Sequence, residues 1–267
     1  MIRVAAVGDI HLGPDSRGLL RPAFATLAEL ADLLLLAGDL TRHGTPEEAA
    51  VVAREVAGLP VPVIAVLGNH DHDAGCPDAV TGILAAHGVH VLERSSVTVP
   101  VDGHLVGVAG TKGFGGGFAG RSAGEFGEPE MKAFVRHSRE CADGLRAALD
   151  GLAAERCDLR IALTHFAPVP DTLAGEPPEI HPFLGSYLLA EAIDGAGADL
   201  AVHGHAHLGT ERGLTACGVR VRNVAQPVIG RAFAVYGLHA RAGDRSGPGR
   251  TGRGRDGPSS FAGHDAG

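Results

Sequence analysis

Tryptophan is absent from the 267 residues, and there are only 2 tyrosines. With so few large rings, a stacking platform for single-stranded nucleic acid is poorly supplied. No apolar run reaches the roughly 18 residues a membrane-spanning helix needs. No signal-peptide pattern precedes the first apolar segment either: Met1-Ile2-Arg3-Val4 leads directly into it. The 4 cysteines, at 76, 141, 157 and 217, form no Cys-x-x-Cys pair. That usage fits reduced thiols in a cytoplasm, each a small buried hydrophobe, and a cytoplasmic protein is expected. Positive charge is also in deficit, with a formal net charge of -8. Residues 240–267 carry a net +2, from arginines 241, 245, 250, 253 and 255 against aspartates 244, 256 and 265, so the remainder stands at -10. An acidic body argues against general affinity for nucleic-acid backbones.

Hydrophobic residues make up 45% of the chain, enough for a packed core. The apolar runs share one design. Val61–Leu67 is short, apolar and β-branched, reads as a buried strand, and ends in Gly68-Asn69-His70-Asp71. Ile2–Val7 ends in Gly8-Asp9-Ile10-His11, and Leu33–Ala37 in Gly38-Asp39. Leu159–Leu163 leads to Thr164-His165, and Asp199–Val202 to His203-Gly204-His205-Ala206-His207. Five strand ends thus deliver Asp, Asn and His to one expected rim, the place where open α/β sheets hold ligands.

Between the strands, Leu19–Leu30 is spaced for an amphipathic helix. Thr45 caps a second, with Pro46 in its first turn and Glu47 and Glu48 near its positive end. Pro77–His87, Glu130–Cys157 and Leu184–Ile193 are further helices, the second a solvated amphipathic one with breaks expected at Gly144 and Asp150-Gly151. Val89–Leu92, Ser96–Pro100 and Leu105–Ala109 read as a second sheet with hairpins, Asp102-Gly103 being a strong turn signal. Val219–Asn223 and Ala232–His239 are late strands. The expected fold class is therefore α/β, a four-layer αββα sandwich of two mixed sheets flanked by helices. Residues 1–239 form the domain. Residues 110–180 include a Gly/Pro-rich lid or cap insertion; its glycine-rich stretch reads either as a flexible surface loop or, the reading favoured, as a lid over the rim with Phe114 and Phe118 as its apolar contacts. Residues 240–267, rich in Gly, Arg, Pro, Ser and Asp, are read as a disordered tail.

Asp9, His11, Asp39, Asn69, His165, His205 and His207 form one set of candidate metal ligands. Carboxylate oxygens and neutral imidazoles suit Mn, Fe and Zn. Seven ligands exceed what a single ion with open positions can take, but they fit two divalent transition-metal ions bridged by one carboxylate. Asp39 is the natural bridge, because its strand should lie between those bearing Asp9 and Asn69. Such a pair is the clamp used to hydrolyse phosphate esters. His70, next to a ligand but not itself one in this reading, can give the leaving group its proton.

The ordered set Asp9-x-His11, Gly38-Asp39, Gly68-Asn69-His70-Asp71, His165 and Gly204-His205-Ala206-His207 resembles the calcineurin-like metallophosphoesterase superfamily. The resemblance implies that Asp9, His11 and His207 bind one metal, that Asp39 bridges, and that Asn69, His165 and His205 bind the other. It implies a catalytic role for His70 as proton donor, with a supporting carboxylate, read as Asp71. Leu40-Thr41-Arg42 after the second block, and Asp71 ending the third, differ from the protein serine/threonine phosphatases. Gly38-Asp39-Leu40-Thr41 followed by His43-Gly44 is more similar to the bacterial class III cyclic-nucleotide phosphodiesterases. The expected activity is hydrolysis of small phosphate mono- or diesters. The alternatives are a DNA or RNA nuclease of the same superfamily and a non-catalytic metal-binding scaffold.

Overall fold

The computed structural model of the protein describes residues 1–240. The tail expected from residue 240 onward lies, beyond Ala240, outside the described residues. In chain order the strands are β1 (Ile2–Val7), β2 (Leu33–Ala37), β3 (Val63–Val66), β4 (Val89–Val91), β5 (Ser95–Val101), β6 (His104–Thr111), β7 (Gly117–Phe118), β8 (Arg121–Ser122), β9 (Leu159–Thr164), β10 (Leu200–His203), β11 (Arg212–Leu214), β12 (Arg220–Asn223) and β13 (Ala234–Leu238). The helices are α1 (Arg21–Phe24), α2 (Leu27–Leu30), α3 (Pro46–Val56), α4 (Pro77–Ala86), α5 (Pro129–Ala154), α6 (His181–Leu184), α7 (Tyr187–Ala196) and α8 (Gln226–Ile229).

The first sheet runs β13-β1-β2-β3-β4, parallel except for β13, and the second runs β11-β12-β10-β9-β6-β5. In the second sheet β12-β10-β9-β6 are parallel, and the two outer pairs are antiparallel. Three apolar layers follow from side-chain alternation along the strands. On β2, Leu34 and Leu36 join Val52, Val56 and Leu84 in the core beneath α3 and α4. Leu33 and Leu35 point the other way, and with Val4, Ile64, Val108, Ile161 and Val202 they fill the space between the sheets. Ala109, Ala162 and Ala201 face Leu145, Leu149 and Ile193 on the outer side of the second sheet. The arrangement is the αββα sandwich.

Local chemistry sets the boundaries. The Thr45 hydroxyl accepts a hydrogen bond from the Glu48 N–H, and the Glu48 carboxylate accepts one from the Thr45 N–H, so α3 starts with a full capping box. Asp102 (φ 49) and Gly103 (φ 75) make the two-residue turn that sets Val101 opposite His104 between β5 and β6.

Four expectations change. Leu19–Leu30 is two short helices rather than one. The 3% exposed carboxylate of Glu55, from α3, holds the backbone N–H groups of Gly18, Leu20 and Arg21. The Thr26 hydroxyl then donates to the Ala23 carbonyl where the two helices part. Val89–Val91 belongs to the first sheet, because the β3-α4-β4 crossover returns it beside β3, with Val91 opposite Ala65. α5 runs unbroken through Gly144 and Gly151, its Cys141, Leu145, Leu149 and Leu152 buried at helical spacing. The helix expected over Leu184–Ile193 begins at Tyr187, where the Ser186 hydroxyl caps it by accepting from the Leu188 N–H, and Gly197 (φ 64) closes it. Within 110–129, β7 and β8 pair, and the N–H groups of Gly116 and Gly117 donate to the Pro182 and Gly185 carbonyls.

Candidate metal centre

The ends of β1, β2 and β3 in one sheet meet the ends of β9 and β10 in the other. Asp9 N–H donates to the Gly38 carbonyl at 2.9 Å, and His11 N–H to the Asp39 carbonyl at 3.0 Å, which lashes the first two loops together. The third loop is tied in when His70 N–H donates to Asp39 Oδ1 at 2.8 Å. The fourth joins through His165, whose Nδ1 lies 2.9 Å from the Ala37 carbonyl. The fifth arrives with the His205 N–H, which donates to both oxygens of Asp9.

The backbone bears strain here. Asp9 (φ 56), His11 (φ 41), Asp39 (φ 49) and His205 (φ 69) all lie in the left-handed region. Each such residue costs on the order of 1–3 kcal/mol, and that cost persists where surrounding structure dictates the conformation, as at binding sites. Asn69, at φ -68, is not a left-handed turn residue, so turn geometry does not account for it. Close approach demands glycine as well. A Cβ on Gly38 would stand 2.6 Å from His165 Nδ1, and one on Gly68 would overlap Asp39 Oδ1 and its N–H.

Three overlapping groups of ligand atoms result, each with its atoms within 4.8 Å of one another: Asp9, His11 and His207; His11, Asp39 and His70; and Asp39, His165 and His205. Asn69 Oδ1 lies 3.0 Å from His165 Nε2. All seven expected ligands are therefore together, and His70 stands among them. Asp39 joins the groups: its Oδ2 is 3.9 Å from His11 Nε2, and its Oδ1 is 3.4 Å from His165 Nε2.

The donor chemistry fits cations. His165 Nδ1–H is committed to the Ala37 carbonyl, so the lone pair of Nε2 faces the oxygens of Asp39 and Asn69. Acceptors converging on acceptors, in a place where His165 is wholly buried, require a positive charge between them. In the absence of an ion a proton fills that role. Burial works against it, yet the Asp39 carboxylate outweighs burial and lifts His165 to about 9. Asp39 shows the reverse: burial pushes it up, but the His165 ring and the His70 N–H bring its carboxyl below the usual range. The Asp9 hydrogen bond raises His207, 2.9 Å away. Burial, then the charge of His165, lowers His205 to about 3, and burial lowers His11. Neutral rings at these two positions are free to ligate.

The surroundings of His70 differ from expectation at one place. His70 Nδ1 lies 3.0 Å from the Arg42 carbonyl and 3.3 Å from Asp73 Oδ2, which leaves Nε2 for the site. The carboxylate at the His70 ring is thus Asp73. Asp71 is fully buried and accepts from the N–H groups of Leu40, Thr41 and Gly68 and from the Thr41 hydroxyl. Burial raises its pKa, and the Gly68 and Thr41 bonds oppose the rise. It pins the second loop to the third, and its oxygens are taken up by those donors rather than by the His70 ring. Asp73 and the Arg42 carbonyl were missed in the sequence because nothing in their spacing signals that a one-turn 3-10 helix, His70–His72, brings Asp73 under the ring. His203 ligates nothing: its Nδ1 is bonded to the Gly204 carbonyl and its Nε2 to the Thr172 hydroxyl.

Comparison with known proteins agrees with this geometry. The model of the calcineurin-like phosphoesterase family matches residues 2–209. A probable cyclic nucleotide phosphodiesterase of Synechococcus sp. is 34% identical over 92 residues, 31% of this chain and 34% of that protein, so the match spans about a third of the curated relative. Among solved structures, phosphopantetheinyl hydrolase from Mycobacterium tuberculosis superposes with a TM-score of 0.58 at 18% identity, over 83% of this chain and 88% of that one. A putative 5'-nucleotidase from Staphylococcus aureus gives 0.51 at 17%, over 83% and 48%. At those identities the likeness speaks for the fold.

Proposed function

The chain belongs to the calcineurin-like phosphoesterase family, and from that premise we propose that it hydrolyses phosphate mono- or diesters of small molecules with two divalent transition-metal ions, Mn, Fe or Zn. One observation carries the reading: the two oxygens of Asp39 face different groups, His11 on one side and His165 on the other. A single carboxylate shared in this way is the structural requirement for a bridged pair. Asp9, His11 and His207 would hold one ion, Asn69, His165 and His205 the other, and Asp39 both. When bound, the two ions supply positive charge for the phosphoryl oxygens and acidify a water for attack.

The rest belongs to the chain. Asp71 and the backbone of Gly68 fix the loop that carries Asn69 and His70. The Arg42 carbonyl holds His70 Nδ1–H and so keeps Nε2 toward the leaving oxygen, and Asp73 stabilises the ring when it carries its second proton. The proton then passes from Nε2 to the departing alkoxide. The match to a probable cyclic nucleotide phosphodiesterase favours diesters as the first substrates to try. Among the described residues no helix is long and apolar enough to cross a membrane.

The test is a panel of p-nitrophenyl phosphate, bis(p-nitrophenyl) phosphate, cyclic nucleotides, and single- and double-stranded DNA, presented to the Mn-loaded chain. Turnover of small esters should disappear on chelation and return with Mn, while DNA stays intact. Failure on every small ester with Mn, Fe and Zn in turn would overturn the reading. Cleavage of DNA alone would make the protein a nuclease.

A further inference from the structure

Beside Asn69 lies a cavity of about 410 Å³, lined in part by His72, Glu93, Arg94, Lys112 and His137. It adjoins the candidate metal centre but shares only Asn69 with the proposed ligand set. Lys112 dominates its chemistry. The ammonium sits over the rings of Phe114 and Phe166, 4.9 and 5.0 Å from their centroids, and donates to the Gly113 carbonyl at 3.2 Å. Among the described residues no carboxylate pairs with it. The nearby Glu93 is already engaged, one oxygen by the Thr111 hydroxyl and the other by the backbone N–H of Lys112, both at 2.8 Å. Two N–H groups of a half-buried cation are thus left over beside an open cavity.

The cavity is built. Arg94 is held at φ 50, a left-handed conformation that a long side chain seldom adopts. Its stem crosses α5 at Gly144, where a Cβ would stand 2.6 Å from Arg94 Cγ and 2.7 Å from Arg94 Cβ. That contact explains a glycine inside a long helix, where propensity alone disfavours it. His72 and His137 add ring nitrogens, and burial followed by the charge of Lys112 keeps both neutral. The fixed charges are Lys112, Arg94 and Glu93; Glu93 Oε1 lies 3.5 Å from Arg94 Nε, so Arg94 shares that carboxylate and Lys112 alone has no ion-pair partner among the described residues.

We infer that this cavity is a second anion subsite, in which Lys112 and Arg94 hold a carboxylate or second phosphate carried by the substrate, while its reacting phosphate lies at the metal centre. The inference rests on the phosphoesterase reading and narrows it to esters with two anionic groups. Lys112 sets specificity rather than catalysing.

Calorimetric titration of the Mn-loaded chain tests this with phosphonates, which bind without turning over. Propylphosphonate is the reference. Phosphonocarboxylates with methylene spacers of increasing length probe the gap between the two sites. One spacer length should bind roughly 10- to 100-fold more tightly than the alkylphosphonate, the worth of a charged hydrogen bond. Lys112→Met should remove that gain and leave propylphosphonate binding within about twofold, and Lys112→Arg should restore most of the gain. Arg94→Met, made on a more exposed side chain, should lose part of it. If no spacer length binds the wild-type chain more tightly than propylphosphonate, or if Lys112→Met retains the gain, the subsite is overturned. Turnover of bis(p-nitrophenyl) phosphate by the same wild-type sample keeps the two readings apart: turnover without a carboxylate gain sinks only the subsite, whereas no turnover sinks the phosphoesterase reading.

Discussion

Asp39→Asn should lower turnover of every phosphate ester by at least about 10³-fold and strip metal from the chain. The substitution preserves shape and leaves an oxygen to accept the His70 N–H, so the fold should persist. It removes the carboxylate whose two oxygens face His11 on one side and His165 on the other. Without that charge, the two ions of the proposed pair would lose the anion that screens them from each other. Several kcal/mol of transition-state stabilisation depend on the pair, hence the size of the loss. The measurement is steady-state hydrolysis together with elemental analysis of the Mn-reconstituted variant. A full complement of metal with turnover within tenfold of the parent chain would show that Asp39 does not bridge.

His70→Asn should reduce hydrolysis of an alkyl ester by roughly 10²–10⁴-fold, the usual contribution of a general acid, and leave metal content unchanged. Its Nδ1 is held by the Arg42 carbonyl and approached by Asp73, so only Nε2 is available to the site. The loss should depend on the leaving group. p-Nitrophenolate departs readily as an anion and gains little from a proton, whereas an alkoxide gains most. Because His70 also groups with His11 and Asp39, a ligand role makes a distinct forecast. Equal losses on both esters, or fewer ions per chain, would assign His70 to metal binding.

Much of this site was legible because the chain repeats one device. Apolar strands ending in Gly-Asp, Gly-Asn-His-Asp and Gly-His-Ala-His place ligands at strand ends, and strand ends of parallel neighbours converge. The expectation that Asp39 lies between Asp9 and Asn69 needed only the order β1-β2-β3. What the sequence hid are relations between segments far apart. Asp71 and Asp73 differ by two positions, yet one is buried under four donors and the other meets the His70 ring. Only the packing of the Thr41 loop decides between them. Gly144 reads as a helix breaker by propensity, but its role is to admit the stem of Arg94 from 50 residues earlier. Glu55 of α3 carries no signal in the sequence, yet its buried carboxylate anchors Gly18, Leu20 and Arg21. Tertiary contacts overrode local preference at each of these places.

The central claim, a phosphoesterase that works with two bridged ions, is tested most directly by titrating Mn into the metal-free chain at stoichiometric concentration while following hydrolysis of bis(p-nitrophenyl) phosphate. The account predicts little activity at low occupancy and a plateau at two equivalents of bound metal per chain. A plateau at one equivalent, or full activity in the metal-free protein, would contradict it.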